Sequence, residues 1–132
     1  MIDTPLPRRA LRISLLGGAA YDLLLGCLVL FGGGPIMAAL GHPVTGYAFY
    51  FALASAPLFV LPVLYGVAAL SESPDGFRAP VLWARGGGGL LIVLLTILHR
   101  PGAAWLFVLI GGLDLGWAVL HAVLWRSRPD PT

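Results

Sequence analysis

Four apolar stretches decide what this chain can become. They cover residues 11–33, 46–70, 80–98 and 102–125. Each holds roughly 19–25 residues, enough at 1.5 Å of rise per residue to cross a hydrocarbon layer of about 30 Å. Backbone amides and carbonyls find no partner in lipid, so such stretches must close their hydrogen bonds internally, as helices. The alternation that marks a membrane β-strand is absent. The stretches take about two-thirds of the chain. The expected architecture is one all-α domain over residues 1–132, a bundle of four transmembrane helices.

Composition narrows the function classes. Of the 132 residues, 58% are hydrophobic and 11% charged, with a mean hydropathy of +0.90. A soluble domain carries about 25% charged residues, so a soluble enzyme is excluded. Disorder is excluded too, because it requires low hydrophobicity. The eight basic residues are all arginine, and the net charge of +2 is too small to suggest nucleic-acid binding. Cys27 is the only cysteine, which precludes an intrachain disulfide and reads as a small packing residue.

Turn residues punctuate the stretches. Gly32, Gly33, Gly34 and Pro35 are expected to close the first. The SESPDG segment at 71–76 separates the second from the third. His99, Arg100, Pro101 and Gly102 form so short a link that the third and fourth spans should make a tight hairpin. Arginine in short loops sets orientation. Arg8, Arg9, Arg12, Arg78, Arg126 and Arg128 fall on one side and Arg100 on the other, which places both termini in the cytoplasm. Trp83 and Trp125 should then lie at the inner interface, and Tyr47, Tyr50 and Trp105 at the outer one. The first stretch is longer than a signal-peptide core and contains Asp22, so it reads as a retained span. The composition suggests a bacterial cytoplasmic (inner) membrane.

Four ionisable residues fall inside the spans: Asp22, Arg85, Asp114 and His121. Such groups are costly in lipid and point by default to a site with a named partner. Depth counting puts Asp22 about 14 Å past Ile13 and Asp114 about 16 Å in from Trp125, at matching levels near the midplane. Arg85 is about 8 Å past Pro80, and His121 about 6 Å in from Trp125. Asp114, Trp117, Ala118 and His121 share one helical stripe, and Gly18, Asp22 and Gly26 share another. The expectation is a buried polar cluster of Asp22, Arg85, Asp114 and His121, neutral overall with the histidine protonated. Tyr21 and Trp117 would add an aromatic wall. Such a cluster either locks the helices together or lines a ligand or proton site. A third arrangement would let Arg85 snorkel to the headgroups while the aspartates are neutralised by protons.

Glycines and prolines complete the pattern. Gly86, Gly87, Gly88 and Gly89 follow Arg85 and should permit close helix approach, as should Gly18 and Gly26. Gly112 and Gly116 form a GxxxG pair turned away from Asp114, suited to another helix or a second protomer. Pro57 and Pro62 should kink or loosen the second span. His42 and His99 read as solvated. No catalytic motif, phosphate loop or metal-ligand spacing is present. No cofactor is expected, since a haem on His121 would lack a second ligand.

The YDLLLG segment at 21–26 and GLDLGWAVLH at 112–121 resemble a type of small bacterial four-span inner-membrane protein whose members generally carry no assigned activity. That resemblance implies topology. The chain is also similar to small multidrug resistance transporters in length, in its four spans and in an acidic residue, Asp22, that follows the small residues 17–20. In them that residue is a proton-coupled glutamate, and an arginine–aspartate pair in the last two helices is lacking. The first expectation for function is a non-catalytic accessory or binding protein, holding a lipid-like ligand or a partner subunit in the bilayer, as a homo-oligomer or in a larger complex. The second is a proton-coupled transporter working as an oligomer. The third is a membrane enzyme of isomerase type using the carboxylates as acid and base.

Overall fold

The structure, a computed structural model, describes residues 6–43 and 48–127. Tyr47, Arg128 and the side chain of Tyr50 lie outside the described residues. The described chain is helical, with no strand. It runs as α1 (Leu6–Cys27), a π-helical turn (Leu28–Gly32), α2 (Gly33–Ala39), α3 (Ala48–Leu70), a 3-10 turn (Pro74–Phe77), α4 (Arg78–Leu82), a second π-helical turn (Trp83–Gly87), α5 (Gly88–His99) and α6 (Ala104–Arg126). These merge into four helices long and apolar enough to cross a membrane: Arg8–Ala39, Phe51–Leu70, Pro74–His99 and Ala104–Arg126.

The first span ends later than the glycines suggest. Gly32, Gly33, Gly34 and Pro35 do not stop it; the helix continues through α2 to Ala39. Pro35 falls in the first turn of α2, directly after the π-turn, where a missing amide is tolerated. The stop lies at Gly41, whose φ of +79° is left-handed. The Gly41 amide donates to the Ala38 carbonyl at 3.0 Å and the His42 amide to Met37 at 2.9 Å. That is the Schellman closure, which satisfies the last carbonyls of a helix. Gly33 has a different use, because a Cβ there would strike the Phe51 ring of α3.

α3 is likewise unbroken. Pro57 and Pro62 both lie inside it, and the helix is continuous across them. Each proline removes one amide donor from the ladder without interrupting the flanking turns. Ser55, two residues before Pro57, donates its hydroxyl to the Ala52 carbonyl at 2.8 Å.

The apolar core is small and lies at one end. Leu11, Leu15, Tyr65, Ala68, Ala69, Val81 and Trp125 are buried together there. The N-terminal turns of α1 and the C-terminal end of α3 meet at this end, where Arg8 donates to the Glu72 carbonyl and Arg12 to that of Ser71. Trp125 is a core residue, buried on the same face of α6 as Asp114 and His121, at the end that carries Arg8 and Arg12. Trp83, by contrast, is 77% exposed, and Trp105 is exposed too. Most large apolar side chains, such as Leu24, Phe31, Leu70 and Leu98, point outward. In water such a surface would aggregate; in a bilayer it is the lipid-facing side.

α5 and α6 come close, backbone to backbone, at Gly89 and Gly111. A Cβ on Gly89 would lie 2.7 Å from the Gly111 carbonyl, and one on Gly111 would lie 2.8 Å from the Gly89 carbonyl. Gly112 and Gly116 are exposed and meet no other helix of this bundle; the glycine of α6 that packs inside it is Gly111. Within the glycine run, Gly86 faces Ala118 of α6, Gly87 touches only its own Trp83, and Gly88 is open. Gly26 meets Leu58 and Phe59 of α3, and Gly18 meets Arg85.

These contacts predict opposite effects for neighbouring substitutions. Gly89→Ala is expected to destabilise the fold by about 1–3 kcal/mol, because rigid backbone stands in the way. Gly88→Ala should be neutral or stabilising by up to about 1 kcal/mol, since alanine favours helix and meets open space. Thermal unfolding of the two variants in detergent measures the difference.

Candidate functional site

Arg85 sits in the middle of the second π-turn, on a stripe of buried positions with Val81 and Gly89. A π-turn inserts one residue into the helix and changes which side chain faces inward, and such turns are frequent at functional sites. The turn aims Arg85 into the bundle, where the residue is 1% exposed. Gly18 of α1 makes the room, since a Cβ there would lie 3.0 Å from Arg85 Nη2.

Every polar contact of the guanidinium is made inside the protein. Nη1 lies 2.6 Å from Asp114 Oδ1 and donates a hydrogen bond to it. The same nitrogen lies 2.7 Å from Asp22 Oδ1, off the line of its N–H bonds. Nη2 donates to the Gly18 carbonyl at 2.7 Å. Asp22 is 1% exposed and Asp114 8%. Arg85 therefore does not snorkel, and neither aspartate faces lipid.

Aromatic rings complete the enclosure. The guanidinium carbon is 4.7 Å from the Tyr65 ring centroid, 5.3 Å from Tyr21 and 6.0 Å from Trp117. Rings at such distances stabilise a cation, more strongly when water is excluded. All four spans thus supply a group to one arginine's surroundings: Asp22 and Tyr21 from the first, Tyr65 from the second, Arg85 from the third, Asp114 and Trp117 from the fourth.

His121 occupies a different niche. It is fully buried and stacks among Tyr65, Trp117 and Trp125, with centroids 6.3, 5.7 and 6.2 Å away. Neither imidazole nitrogen has a side-chain hydrogen-bond partner. Among the described residues, the interior ion pairs are Arg85–Asp22 and Arg85–Asp114, and His121 takes part in neither. The expected balancing charge on the histidine is not paired with the carboxylates, because aromatic rings fill the space around it.

Tyr65, the ring nearest the guanidinium, was absent from the cluster expected from the sequence. A usable signal existed: counting from Leu70 places Tyr65 about 8 Å in, the depth inferred for Arg85. The Gly18 carbonyl left no trace in side-chain patterns. No protein family matches this chain, and neither a curated protein nor a solved structure matches it.

Breaking a buried ion pair from one side strands the remaining charge. Arg85→Ala is therefore expected to cost about 3–5 kcal/mol and to reduce the yield of folded protein. Combining Arg85→Met with Asp22→Asn and Asp114→Asn should recover most of that loss, because no uncompensated charge remains. Size-exclusion chromatography in detergent reads both. Tyr65→Ala should lose about 1–2 kcal/mol of cation–ring attraction that Tyr65→Phe retains.

Proposed function

We propose that this chain is a non-catalytic integral membrane protein, an accessory or binding subunit that holds a lipid-like ligand or a partner chain against the outside of its bundle. The supporting observation is the division of polar and apolar groups. Asp22, Arg85 and Asp114 face one another in the interior, while the outward side chains are largely apolar. A bundle of this kind offers its surroundings apolar contact. The exposed Gly112 and Gly116 provide the place where another helix comes near. The end bearing Arg8, Arg9, Arg12, Arg78 and Arg126 faces the cytoplasm, with both termini, and the third and fourth spans form a hairpin across the four-residue link. A bacterial inner membrane fits that arrangement.

A second reading has its own support. Two carboxylates face a single guanidinium, which leaves an acid in excess at mid-depth. Proton-coupled transporters place such groups there.

Native mass spectrometry from a mild detergent separates the two. The accessory role predicts a lipid or a second polypeptide at fixed stoichiometry, released by Gly112→Leu or Gly116→Leu. A bare chain that drives substrate-dependent proton flux in liposomes, lost in Asp22→Asn, would overturn that role in favour of transport.

A further inference from the structure

Buried polar atoms are unevenly distributed along the bundle. In the half toward His99 and Ala104, the buried hydroxyls are satisfied on their own helices: Ser55 donates to Ala52 at 2.8 Å and Thr96 to Ile92 at 2.7 Å. In the half toward Arg8, Arg12 and Trp125 they are not. Ser14 Oγ, Tyr65 Oη, Arg85 Nε, Asp22 Oδ2 and the imidazole nitrogens of His121 are buried with no side-chain hydrogen-bond partner in the chain. Buried polar groups are normally paired, so this concentration in one half asks for an explanation.

The groups fall at two levels, with Ser14, His121 and Tyr65 nearer the Arg8 end and the two aspartates deeper. Counted from Arg8, Ser14 lies about 9 Å in and Asp22 about 21 Å in. Counted from Arg126, His121 lies about 8 Å in and Asp114 about 18 Å in. His121 faces the backbone of Ser14 on one side and the Tyr65 ring on another. Tyr65 in turn lies against the Arg85 guanidinium, which holds both aspartates. The file thus runs from the arginine-bearing end to the carboxylates, and the apolar half beyond them does not continue it.

We propose that Asp22 and Asp114 form a proton-binding site, loaded and emptied from the Arg8 end through Ser14, His121 and Tyr65. Fully ionised, the cluster carries two negative charges against one positive. Both Oδ1 atoms lie within 2.7 Å of Arg85 Nη1, so one proton on either aspartate brings the group to neutrality. Around the pair and its guanidinium stand Tyr21 from α1, Tyr65 from α3, Arg85 from the π-turn and Trp117 from α6, with His121 behind Tyr65 and Trp117. An imidazole set between the Ser14 backbone and the Tyr65 ring is suited to pass a proton in either direction. The proton arrives from water at the Arg8 end and leaves by the same route, so the site stores a proton and does not conduct one across the bilayer. The proposal goes beyond both readings of function, because such a site exists or fails whatever the bundle binds.

Infrared spectroscopy of the full chain in lipid vesicles tests it through the carbonyl stretch of a protonated carboxylic acid. Wild type should show one such acid per chain at neutral pH. Asp22→Asn and Asp114→Asn should each abolish the band, since one carboxylate then matches one guanidinium. Arg85→Gln, where it folds, should raise the count to two. His121→Phe should keep the band but slow its hydrogen–deuterium exchange by about 100-fold, the low end for a positioned proton-transfer group. A wild type without the band, or a band unchanged in both Asn variants, overturns the site. Exchange as fast in His121→Phe as in wild type overturns the route.

Discussion

A guanidinium held between two carboxylates, at a depth where water is excluded, is the constraint around which this bundle is arranged. Charge at membrane depth is tolerable only when it is paired, and Arg85 is paired with Asp22 and Asp114 at 2.7 and 2.6 Å. The requirement is geometric as well as electrostatic. Two aspartates can reach one nitrogen only if α1 and α6 both lie against the π-turn that carries Arg85. The ion cluster therefore fixes the relative placement of three spans, and Tyr65 brings in the fourth. Apolar packing between helices cannot set that placement alone, since lipid tails are as apolar as leucine.

The backbone is adapted to that demand. The π-turn at Trp83–Gly87 aims the arginine inward, and Gly18 leaves space for its head while lending a carbonyl. Past the arginine, Gly89 and Gly111 bring two helices nearly into backbone contact. Asp114 lies beside that contact, its Cβ 3.0 Å from where a Gly89 side chain would begin. The glycines of the third span thus have separate tasks: Gly86 and Gly89 pack, while Gly87 and Gly88 do not face another helix.

Much of this was legible in the residues. Four helices long enough to span a membrane follow from stretch length and hydropathy, which act over some twenty residues and tolerate local errors. Asp22, Arg85 and Asp114 stood out because ionisable groups in apolar runs are rare, and depth counting placed the two aspartates at one level. Less legible were features that depend on a neighbouring helix. Gly32–Pro35 looked like a terminus, yet the capping geometry sits at Gly41, where backbone donors reach Ala38 and Met37. The GxxxG pair at Gly112 and Gly116 was the visible motif, but the phase set by Asp114 turns Gly111 toward α5. Pro57 and Pro62 lie inside α3, which runs on through both. His121 shares its stripe with Asp114, and stripe membership alone could not tell a carboxylate neighbour from Trp117 and Trp125.

The central claim is that Arg85 is held by both aspartates inside the bundle when the protein is in a bilayer. Solid-state NMR with labelled arginine and aspartate, in phospholipid vesicles, measures this directly through nitrogen–carbon dipolar couplings. The predicted result is short-range coupling from the Arg85 guanidinium to the carboxylate carbons of both Asp22 and Asp114, with none to lipid phosphorus. Coupling to phosphorus, or the loss of either aspartate contact, would contradict it.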